Sequence, residues 1–396
     1  MTINIPRRKL EIWADYLLDH SMGGIQPEDV VMVKGEPITW PLMSILQNKI
    51  FAAGAIADIY LVPPDNFRGR VWGASIARHG TTEQIQRVPG WHHDRYQAMN
   101  KYIEILGSEQ PELVANLPEE TGKALVRADE PFKNIRLAKN WVLTLFPTQA
   151  FADIEGMSLA EYTDIIVSAS TVNPKLLEQA EEPIYELLER GRSVRVVTRH
   201  PGEDRTLELT MDIAGRYAVK CTGRRNFPDG EVFTSPDANS VQGEIFVDLP
   251  VFYDGVTIRG IYLKCSDGVI TGYTADDGFD TLRNIIETDA GSHRLGEVAL
   301  GMNNGIQTAL KHPLFVEKVG GTFHIAIGSS YPESYVREPN SESGQREIER
   351  MIAAGICNKS AQHVDIVADF RPGGCGQAVF IDDIRLALQD NLWIIP

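Results

Sequence analysis

Hydrophobic and polar positions along the first part of the chain predict helices that alternate with strands. Residues 8–18 show helical spacing of apolar side chains, and residues 40–55 show a second helical pattern. Residues 29–36 and 56–65 are apolar runs of strand length on either side of that second helix. A strand, a helix and a strand of these lengths form a βαβ unit, which predicts an α/β domain with a parallel sheet.

The second half of the chain has a different pattern. The first half ends with a strand at 140–148 and helices near 158–168 and 174–191, but strand-like runs dominate after residue 192. These runs are RSVRVVTRH, RTLELTMDI, EIFVDLPVFYD, VTIRGIYLKCSDGVIT, GTFHIAIG and HVDIVADF. Asp-Gly pairs predict turns between them, and helices are expected only near 279–288 and 345–353.

This change of pattern places a domain boundary between residues 175 and 195. We expect an N-terminal α/β domain with a parallel sheet at residues 1–185. A β-rich α+β domain, which carries the candidate chemistry, is expected at residues 186–396.

Several polar residues of the second half lie where the pattern predicts core. His363 and Asp365 are two residues apart in a predicted strand, so they share one face while Val364 and Ile366 lie on the other. Three further residues of this kind are Glu231, Glu297 and His324. Taken singly, each residue is more typical of a turn, an ion pair or a hydrogen-bonded core histidine. Five such placements together indicate a shared site, because buried carboxylates and imidazoles are costly unless paired or bound to a metal.

The residue types at these five positions favour a metal centre. Three carboxylates and two imidazoles supply oxygen and nitrogen ligands without a thiolate, which suits a catalytic zinc, cobalt or manganese site. Five ligands exceed what one ion with an open position takes, whereas two ions about 3.5–4 Å apart that share a carboxylate would use them all. The spacing matches no short motif such as H-E-x-x-H.

Composition limits the function classes. The net charge of −16 argues against a general nucleic-acid binder, and 43% hydrophobic with 23% charged residues is typical of a globular protein. Four cysteines without a C-x-x-C pair predict neither a disulfide framework nor a zinc finger, and they suit a reducing cytoplasm. No apolar run of signal-peptide or membrane-span length is present, so we expect a soluble cytoplasmic protein.

An ordered set of sequence blocks resembles the M29 aminopeptidases, the thermophilic-aminopeptidase type of metallopeptidase. The blocks of the second half are NFPDGEVFTSP, LGEVALG, GGTFHIAIG followed by Tyr331, and NKSAQHVDIV. In the first half, LEIWADYLLDHSMGGIQPEDVVMVKG and NWVLTLFPTQAFADIEGMSLAEY are similar to the opening and middle segments of the family. The resemblance covers nearly the whole chain.

The resemblance implies a two-metal aminopeptidase that acts on peptides with a free N-terminus. The metal ligands that it implies are Glu231, Glu297, His324, Tyr331, His363 and Asp365. Glu297 is the bridging candidate, and Glu231, Glu297 and Tyr331 take part in catalysis. The resemblance further implies two Zn, Co or Mn ions, an N-terminal α/β domain followed by a metal-binding domain, and a homodimer around an internal cavity.

Three departures from the family pattern stand out. Val364 lies between two implied ligands, where a bulky aromatic residue is expected in many relatives. The segment 78–97, with His92 and His93 beside Asp94, matches no family block. We interpret it first as a surface or inter-domain loop and second as a substrate contact. The segment 332–355 is longer than a minimal connection and is a candidate lining of the cavity mouth.

Two other functions remain open on the sequence. His324, His363 and Asp365 have the composition of the facial triad of non-haem Fe(II) oxygenases, and ring-cleaving dioxygenases of dihydroxypyridines are similar to this family in fold. Glu231 and Glu297 argue against this alternative, because a mononuclear iron does not require them. The other alternative is a homologue that retains the metal but has lost turnover or acts on another small amide.

Overall fold

The computed structural model describes residues 4–64, 73–110, 119–202, 205–253 and 255–396 of the chain. The chain divides into two compact units. The first contains Met1–Pro174 and Gly223–Pro228, and the second contains Lys175–Thr222 and Asp229–Pro396. The division comes at the start of a helix that we assigned mainly to the first domain, because that helix buries Ile184 and Leu187 in the core of the second unit.

The first unit is built on a parallel sheet. Its first four strands are β1 (Val30–Gly35), β2 (Ile56–Leu61), β3 (Lys101–Leu106) and β4 (Asn140–Leu145). They are ordered β2-β1-β3-β4, and Asn226–Phe227 adds a fifth, short parallel strand beside β4. Apolar runs buried on both faces explain this arrangement, and the predicted α/β fold of the N-terminal region is confirmed.

The helices of the first unit carry apolar residues toward this sheet. They are α1 (Arg7–Asp15), α2 (Trp40–Ala52), α3 (Gly73–His79), α4 (Thr82–Gln86), α5 (Gly90–Ala98), α6 (Glu119–Leu137), α7 (Gln149–Glu155) and α8 (Leu159–Ala169). A π-helical turn (Tyr16–Ser21) extends α1, and a 3-10 turn (Pro37–Thr39) precedes α2. The predicted apolar face of the N-terminal helix is buried, with Trp13 and Leu17 fully inaccessible.

The loop interpretation of 78–97 is wrong, because this segment contains helical turns. Thr81 caps α4 through the backbone amide of Gln84, whose side chain returns a bond to the Thr81 amide. His92 on α5 is buried against the rings of Tyr96 and Phe132. The segment therefore contributes core residues to the first unit.

The strands of the rest of the chain are predominantly antiparallel. They are β5 (Ser193–His200), β6 (Arg205–Asp212), β7 (Val219–Cys221), β8 (Asn226–Phe227, the short strand of the first sheet), β9 (Glu231–Thr234), β10 (Gln242–Val247), β11 (Val251–Tyr253), β12 (Val256–Ile258), β13 (Ile261–Ser266), β14 (Val269–Thr274), β15 (Leu295–Gly301), β16 (Thr322–Gly328), β17 (His363–Asp369), β18 (Gly376–Ile381), β19 (Ile384–Arg385), β20 (Ala387–Gln389) and β21 (Leu392–Ile394). The β-rich C-terminal region is confirmed.

Two antiparallel sheets make up most of the second unit. The larger sheet has the order β14-β13-β10-β6-β5-β18-β19, and the smaller has the order β17-β16-β15-β9-β7. One continuous apolar core contains residues of both sheets, for example Leu209 and Val196 of the larger and Ile325 and Ile366 of the smaller. Burial of such side chains contributes about 25 cal/mol per Å² of apolar area.

Few helices accompany these sheets. They are α9 (Pro174–Arg190), α10 (Phe279–Ile286), α11 (Pro313–Val316) and α12 (Glu342–Ala353), and Pro332–Ser334 forms a 3-10 turn. The 3-10 turn and α12 lie in the segment 332–355, which we interpreted from the sequence as a long connection. Within the described ranges, no helix has both the length and the apolar character that crossing a membrane requires.

Candidate metal centre

The smaller sheet of the second unit separates apolar from ligand-bearing side chains. Val298, Ile325 and Ile366 on its three neighbouring strands are buried in the apolar core. Residues next to them in sequence, including Glu297 and Asp365, project from the opposite face, because side chains alternate along a strand. One face of the sheet therefore packs in the apolar core, and the other face carries the candidate metal ligands.

A β-bulge gives Glu297 its direction. The register of β15 against β16 shifts between Leu295 and Glu297, so Gly296 is an extra residue in the strand. Leu295 packs into the core, and the bulge turns Glu297 to the other face. A Cβ at Gly296 would lie 2.2 Å from the Ser329 carbonyl oxygen, so only glycine fits this close approach.

The first donor group contains Glu231, Glu297 and His324. Their ligand atoms lie within 4.8 Å of one another, and all three side chains are buried. His324 Nε2 is 3.2 Å from Glu297 Oε1 and 3.4 Å from Glu231 Oε2. One imidazole nitrogen therefore faces two carboxylates, which is a suitable arrangement of donors around a divalent cation.

The second donor group contains Glu297, His363 and Asp365. These ligand atoms also lie within 4.8 Å of one another. His363 Nε2 is 3.7 Å from Glu297 Oε2 and 3.5 Å from Asp365 Oδ1. The other ring nitrogen of His363 lies 2.7 Å from the Ser329 carbonyl oxygen, an outer partner that fixes the ring orientation of a ligating histidine.

Both donor groups contain buried polar atoms without hydrogen-bond partners among the described residues, and these atoms fit a bound cation. Glu231 Oε2, Glu297 Oε2 and Asp365 Oδ1 are buried and have no hydrogen-bond partner among the described residues. His324 Nδ1 is also without a partner there. Buried carboxylate oxygens without donors are costly, and divalent cations between them would remove this cost.

Small residues on the same face leave room for ions. Ala299 and Gly301 lie on β15, and Ala326 and Gly328 lie on β16. Ala326 pairs with Glu297 on one side and Asp365 on the other. Because these neighbours carry at most a methyl group, the longer carboxylate and imidazole side chains converge above them.

Tyr331, which the resemblance implies as a ligand, lies beside the donor groups. Its ring centroid is 4.6 Å from that of His363 and 5.4 Å from that of Phe233, and 43% of the residue is exposed. Burial of its hydroxyl, with the charges of Glu297 and Asp365 nearby, raises its pKa. The hydroxyl therefore remains a proton donor at neutral pH.

A buried lysine at this site was not anticipated from the sequence. The Lys318 side chain is only 3% exposed and contacts Glu231, and its Nζ is 2.8 Å from Glu317 Oε1 and 3.5 Å from Asp229 Oδ1. Burial would lower the pKa of Lys318, but the charges of Glu231, Glu317 and Asp229 raise it well above its usual value. The sequence signal for it is a Glu-Lys pair within an apolar run that precedes Gly-Gly at 320–321.

Further acidic groups surround Lys318. Cys221, Asp229 and Glu231 form a third set of closely spaced donor atoms, for which the Lys318 ammonium already supplies a positive charge. Burial, followed by Asp229 and Glu231, raises the pKa of the Cys221 thiol well above its usual value, so it remains protonated. Glu181 on α9 is fully buried, and both its oxygens are without hydrogen-bond partners in the described part of the chain.

Electrostatic interactions in the two donor groups are strong. Burial opposes protonation of His363, but the close contact with the Asp365 carboxylate and the charge of Glu297 raise its pKa to about 9. For His324, burial again opposes protonation, and Glu297 and Glu231 raise the pKa. Burial raises the pKa of Glu297, the hydrogen bond from His324 lowers it, and the nearby charges of Asp365 and Glu231 raise it further. The carboxylates thus attract positive charge to this face.

The comparison with known proteins shows the family of this chain. A family model described as thermophilic metalloprotease (M29) matches residues 7–371. The chain belongs to this family. The family predicted from the sequence blocks is confirmed, and so, at the level of the family, are a hydrolase activity and a dependence on metal ions.

Relatives of known name in this family are aminopeptidases. Aminopeptidase PepS from Streptococcus thermophilus is 33% identical over 91% of this chain and 92% of its own length. Aminopeptidase T from Thermus thermophilus is 26% identical over 72% of this chain and 74% of its own length. The match to Aminopeptidase 2 from Geobacillus stearothermophilus, at 31% identity, spans 46% of this chain and less than half (45%) of that relative.

Two solved structures share the fold of this M29 chain. Wild-type AmpT from Thermus thermophilus superposes with a TM-score of 0.72 at 20% identity, over 98% of this chain and all of the other. The 2,5-dihydroxypyridine dioxygenase from Pseudomonas putida KT2440 superposes with a TM-score of 0.56 at 13% identity, over 98% of each chain. At these identities the likeness concerns the fold alone, and the predicted fold class is confirmed.

Proposed function

We propose that this chain is a metal-dependent aminopeptidase that uses two divalent ions to remove the N-terminal residue of a peptide. The observation that carries the proposal is the sharing of Glu297 by two donor groups. Glu231 and His324 complete one group, and His363 and Asp365 complete the other. A carboxylate between two ion positions is the arrangement expected of a two-metal hydrolase.

The chain's own residues have distinct roles in this proposal. Glu231, Glu297 and His324 would hold one ion, and Glu297, His363 and Asp365 would hold the other. Ions bound there would lower the pKa of water and polarise the scissile carbonyl as Lewis acids. The carboxylates also provide candidate acceptors for the proton that the attacking water loses.

Tyr331 is proposed to act on the substrate side of the site. Its hydroxyl remains protonated at neutral pH, and its ring packs on His363 at the exposed edge of the donor groups. A hydroxyl in this position can donate a hydrogen bond to the oxygen that becomes negative when the carbonyl is attacked. An alternative role is to complete the coordination of one ion.

The two-ion site supports a preference for substrates with a free amino group. The unpaired oxygens of Glu231, Glu297 and Asp365 would be taken up by the ions, so a substrate amine would bind at an open ion position and not at these carboxylates. Blocking the amine with an acetyl group would remove the lone pair that an ion accepts.

The dioxygenase alternative has less support from the geometry. His324 lies in a donor group with Glu231 and Glu297, and none of the groups found in the described residues combines His324 with His363 and Asp365. A single iron held by that triad would leave two buried glutamates at the same site without a role. The structural likeness to a dioxygenase is one of fold.

The proposal is tested by stripping the protein with a chelator and adding back Zn²⁺, Co²⁺ or Mn²⁺ separately. Aminoacyl-nitroanilides with a free amine should be hydrolysed only after metal is restored, and N-acetylated counterparts should not be hydrolysed. Elemental analysis of the active protein should give two ions per chain. One iron per chain without nitroanilide hydrolysis would instead support the oxygenase, and two ions without hydrolysis of any substrate would support the inactive homologue.

We also propose a cytoplasmic homodimer, as the family resemblance implies. All four cysteines are free and at least partly buried, which agrees with a reducing compartment. Analytical ultracentrifugation tests the dimer, since a sedimenting mass near 44.0 kDa would contradict it. Cell fractionation tests the compartment.

A further inference from the structure

Lys318 is placed where it can orient a metal ligand. Its ammonium contacts Glu231 through Oε1, and the other oxygen of that carboxylate, Oε2, has no hydrogen-bond partner among the described residues. Glu231 Oε2 lies 3.4 Å from His324 Nε2, within the first donor group. The lysine therefore holds one oxygen of Glu231 and leaves the second free for an ion.

Glu317 and Asp229 hold the lysine itself in place. Glu317 Oε1 accepts from Lys318 Nζ at 2.8 Å, and Asp229 Oδ1 lies 3.5 Å from the same nitrogen. Two further carboxylates therefore fix the ammonium while it contacts Glu231.

These contacts link three side chains in the order Glu231, Lys318 and Glu317, and Glu231 belongs to the first donor group. Lys318 and Glu317 are adjacent in sequence, immediately after α11, so a single backbone segment carries both. The side chain of Lys318 is 3% exposed and that of Glu317 is 16% exposed, so water competes little for these bonds.

We propose that Lys318 is a positioning residue that orients Glu231 for binding of the ion in the first donor group, and that Glu317 holds the lysine. This inference rests on the proposed two-ion site. Partners that hold a metal-ligating side chain typically change metal affinity or activity by about 10–100-fold when they are removed. Loss of a positive charge beside the site would by itself favour cation binding, so a weaker affinity in a Lys318 variant indicates lost orientation of Glu231.

The test is calorimetric titration of chelator-stripped protein with Zn²⁺ and with Co²⁺. Wild type should bind two ions. Lys318→Met, which keeps the length of the side chain and removes its donors, should bind one ion about 10–100-fold more weakly. Glu317→Ala, which releases the lysine, should weaken the same ion, whereas Glu317→Gln, which keeps an acceptor for the lysine, should remain within about 3-fold of wild type. Lys264→Met, at an exposed lysine of the larger sheet, is the charge-matched control.

The visible spectrum of bound Co²⁺ provides a second measurement, because its band positions depend on ligand geometry. These bands should shift in Lys318→Met and match wild type in Glu317→Gln. Unchanged affinities and bands in Lys318→Met would overturn the inference. If circular dichroism shows that Lys318→Met is unfolded, Glu317→Ala decides by the same criterion. Wild type that binds fewer than two ions would contradict the proposed function itself, and the two failures are thereby distinguished.

Discussion

Glu297 and Asp365 lie opposite the same residue, Ala326, from the two strands that flank it. Adjacent strands are about 4.8 Å apart, so the backbones of these two residues are two strand spacings from each other, and their side chains lean over the alanine to bring the carboxylate oxygens within 4.8 Å. The size of this one side chain therefore limits the space in which the second donor group forms.

Replacement of Ala326 by valine should reduce metal binding without removing any ligand. Ala326 is fully buried, and the added methyl groups would occupy the space between Glu297 and Asp365. We expect affinity for at least one ion to fall by tenfold or more, measured by calorimetry, with an overpacking cost of about 1–3 kcal/mol in stability. Ile325→Val is the control, because it alters the opposite face and costs about 0.5–1.5 kcal/mol while both ions bind normally. Full occupancy in Ala326→Val would show that the ions lie elsewhere.

Replacement of Glu297 by glutamine should impair both ion positions together. Glu297 is the residue common to the two donor groups, and the amide keeps its shape while removing its charge. Hydrolysis of aminoacyl-nitroanilides should fall by more than the roughly 100-fold that is typical for outer partners of ligands. Metal content should fall below two ions per chain. The exposed Glu349→Gln variant should behave as wild type, and an active Glu297→Gln enzyme with two ions would refute the shared role.

Replacement of Tyr331 by phenylalanine separates chemistry from metal binding. The ring contact with His363 would remain and only the hydroxyl would be lost. If the hydroxyl stabilises the developing oxyanion, kcat should fall by about 10²-fold with KM nearly unchanged. Elemental analysis should still find two ions. A fall in metal content would assign Tyr331 to coordination instead, and unchanged kcat and metal content would exclude it from the site.

Stability of the first unit should decrease as the pH falls below neutrality, because His92 is buried. Burial, followed by the positive charges of Lys34 and Arg95, lowers the pKa of His92 from 6.5 to about 4. Between these values the unfolded chain binds a proton that the folded chain does not, so unfolding becomes easier as pH falls from about 6.5 towards 4. The loss at pH 5 should be about 2 kcal/mol.

Calorimetric unfolding at pH 7 and pH 5 measures this effect. His92→Phe should reduce the difference in midpoint between the two pH values by a few degrees, since phenylalanine does not titrate. His93→Phe is the matched control, because the His93 side chain is half-exposed and its substitution should leave the difference unchanged. The same pH dependence in wild type and His92→Phe would assign the effect to other groups.

The sequence predicted most clearly those elements in which one periodicity extends without interruption. The apolar runs of β1, β16 and β17 and the amphipathic pattern of α8 were recognised with ends within two residues of those observed. Strand β3 was missed because Glu104 interrupts a six-residue run, and in the fold this carboxylate is bonded by the Tyr102 hydroxyl. Glu104 also pairs with Lys34 and Arg136, which are distant in sequence, and such pairing leaves no local pattern.

Helix-breaking residues and short element length prevented the prediction of other elements. Helix α6 contains Gly122 and Pro131, which are ordinarily signals of a turn, so the helix was not predicted. The helices α4 and α5 are short, and they were interpreted as a loop because their apolar spacing does not last beyond two turns. Such elements depend on tertiary packing more than on their own propensity.

The candidate site was predicted from chemical type, but its environment was not. Glu231, Glu297, His324, His363 and Asp365 were identified because they were polar residues in apolar strands, and the fold brings them together in two groups. Lys318 and Glu317 were missed, because a charged pair in a connecting segment has the sequence pattern of a solvated turn. Their burial arises from residues that are distant in sequence.

The glycine bulge in β15 makes the number of residues in that strand as important as their identity. Deletion of Gly296 would restore the simple alternation of side chains along the strand. Either Glu297 would then point into the aliphatic core or Leu295 would point toward the ligands. Libraries built to alter this enzyme should therefore vary side chains while conserving chain length through residues 295–297. In this protein, an in-frame deletion of this one codon would exchange the core-facing and ligand-bearing positions of the strand.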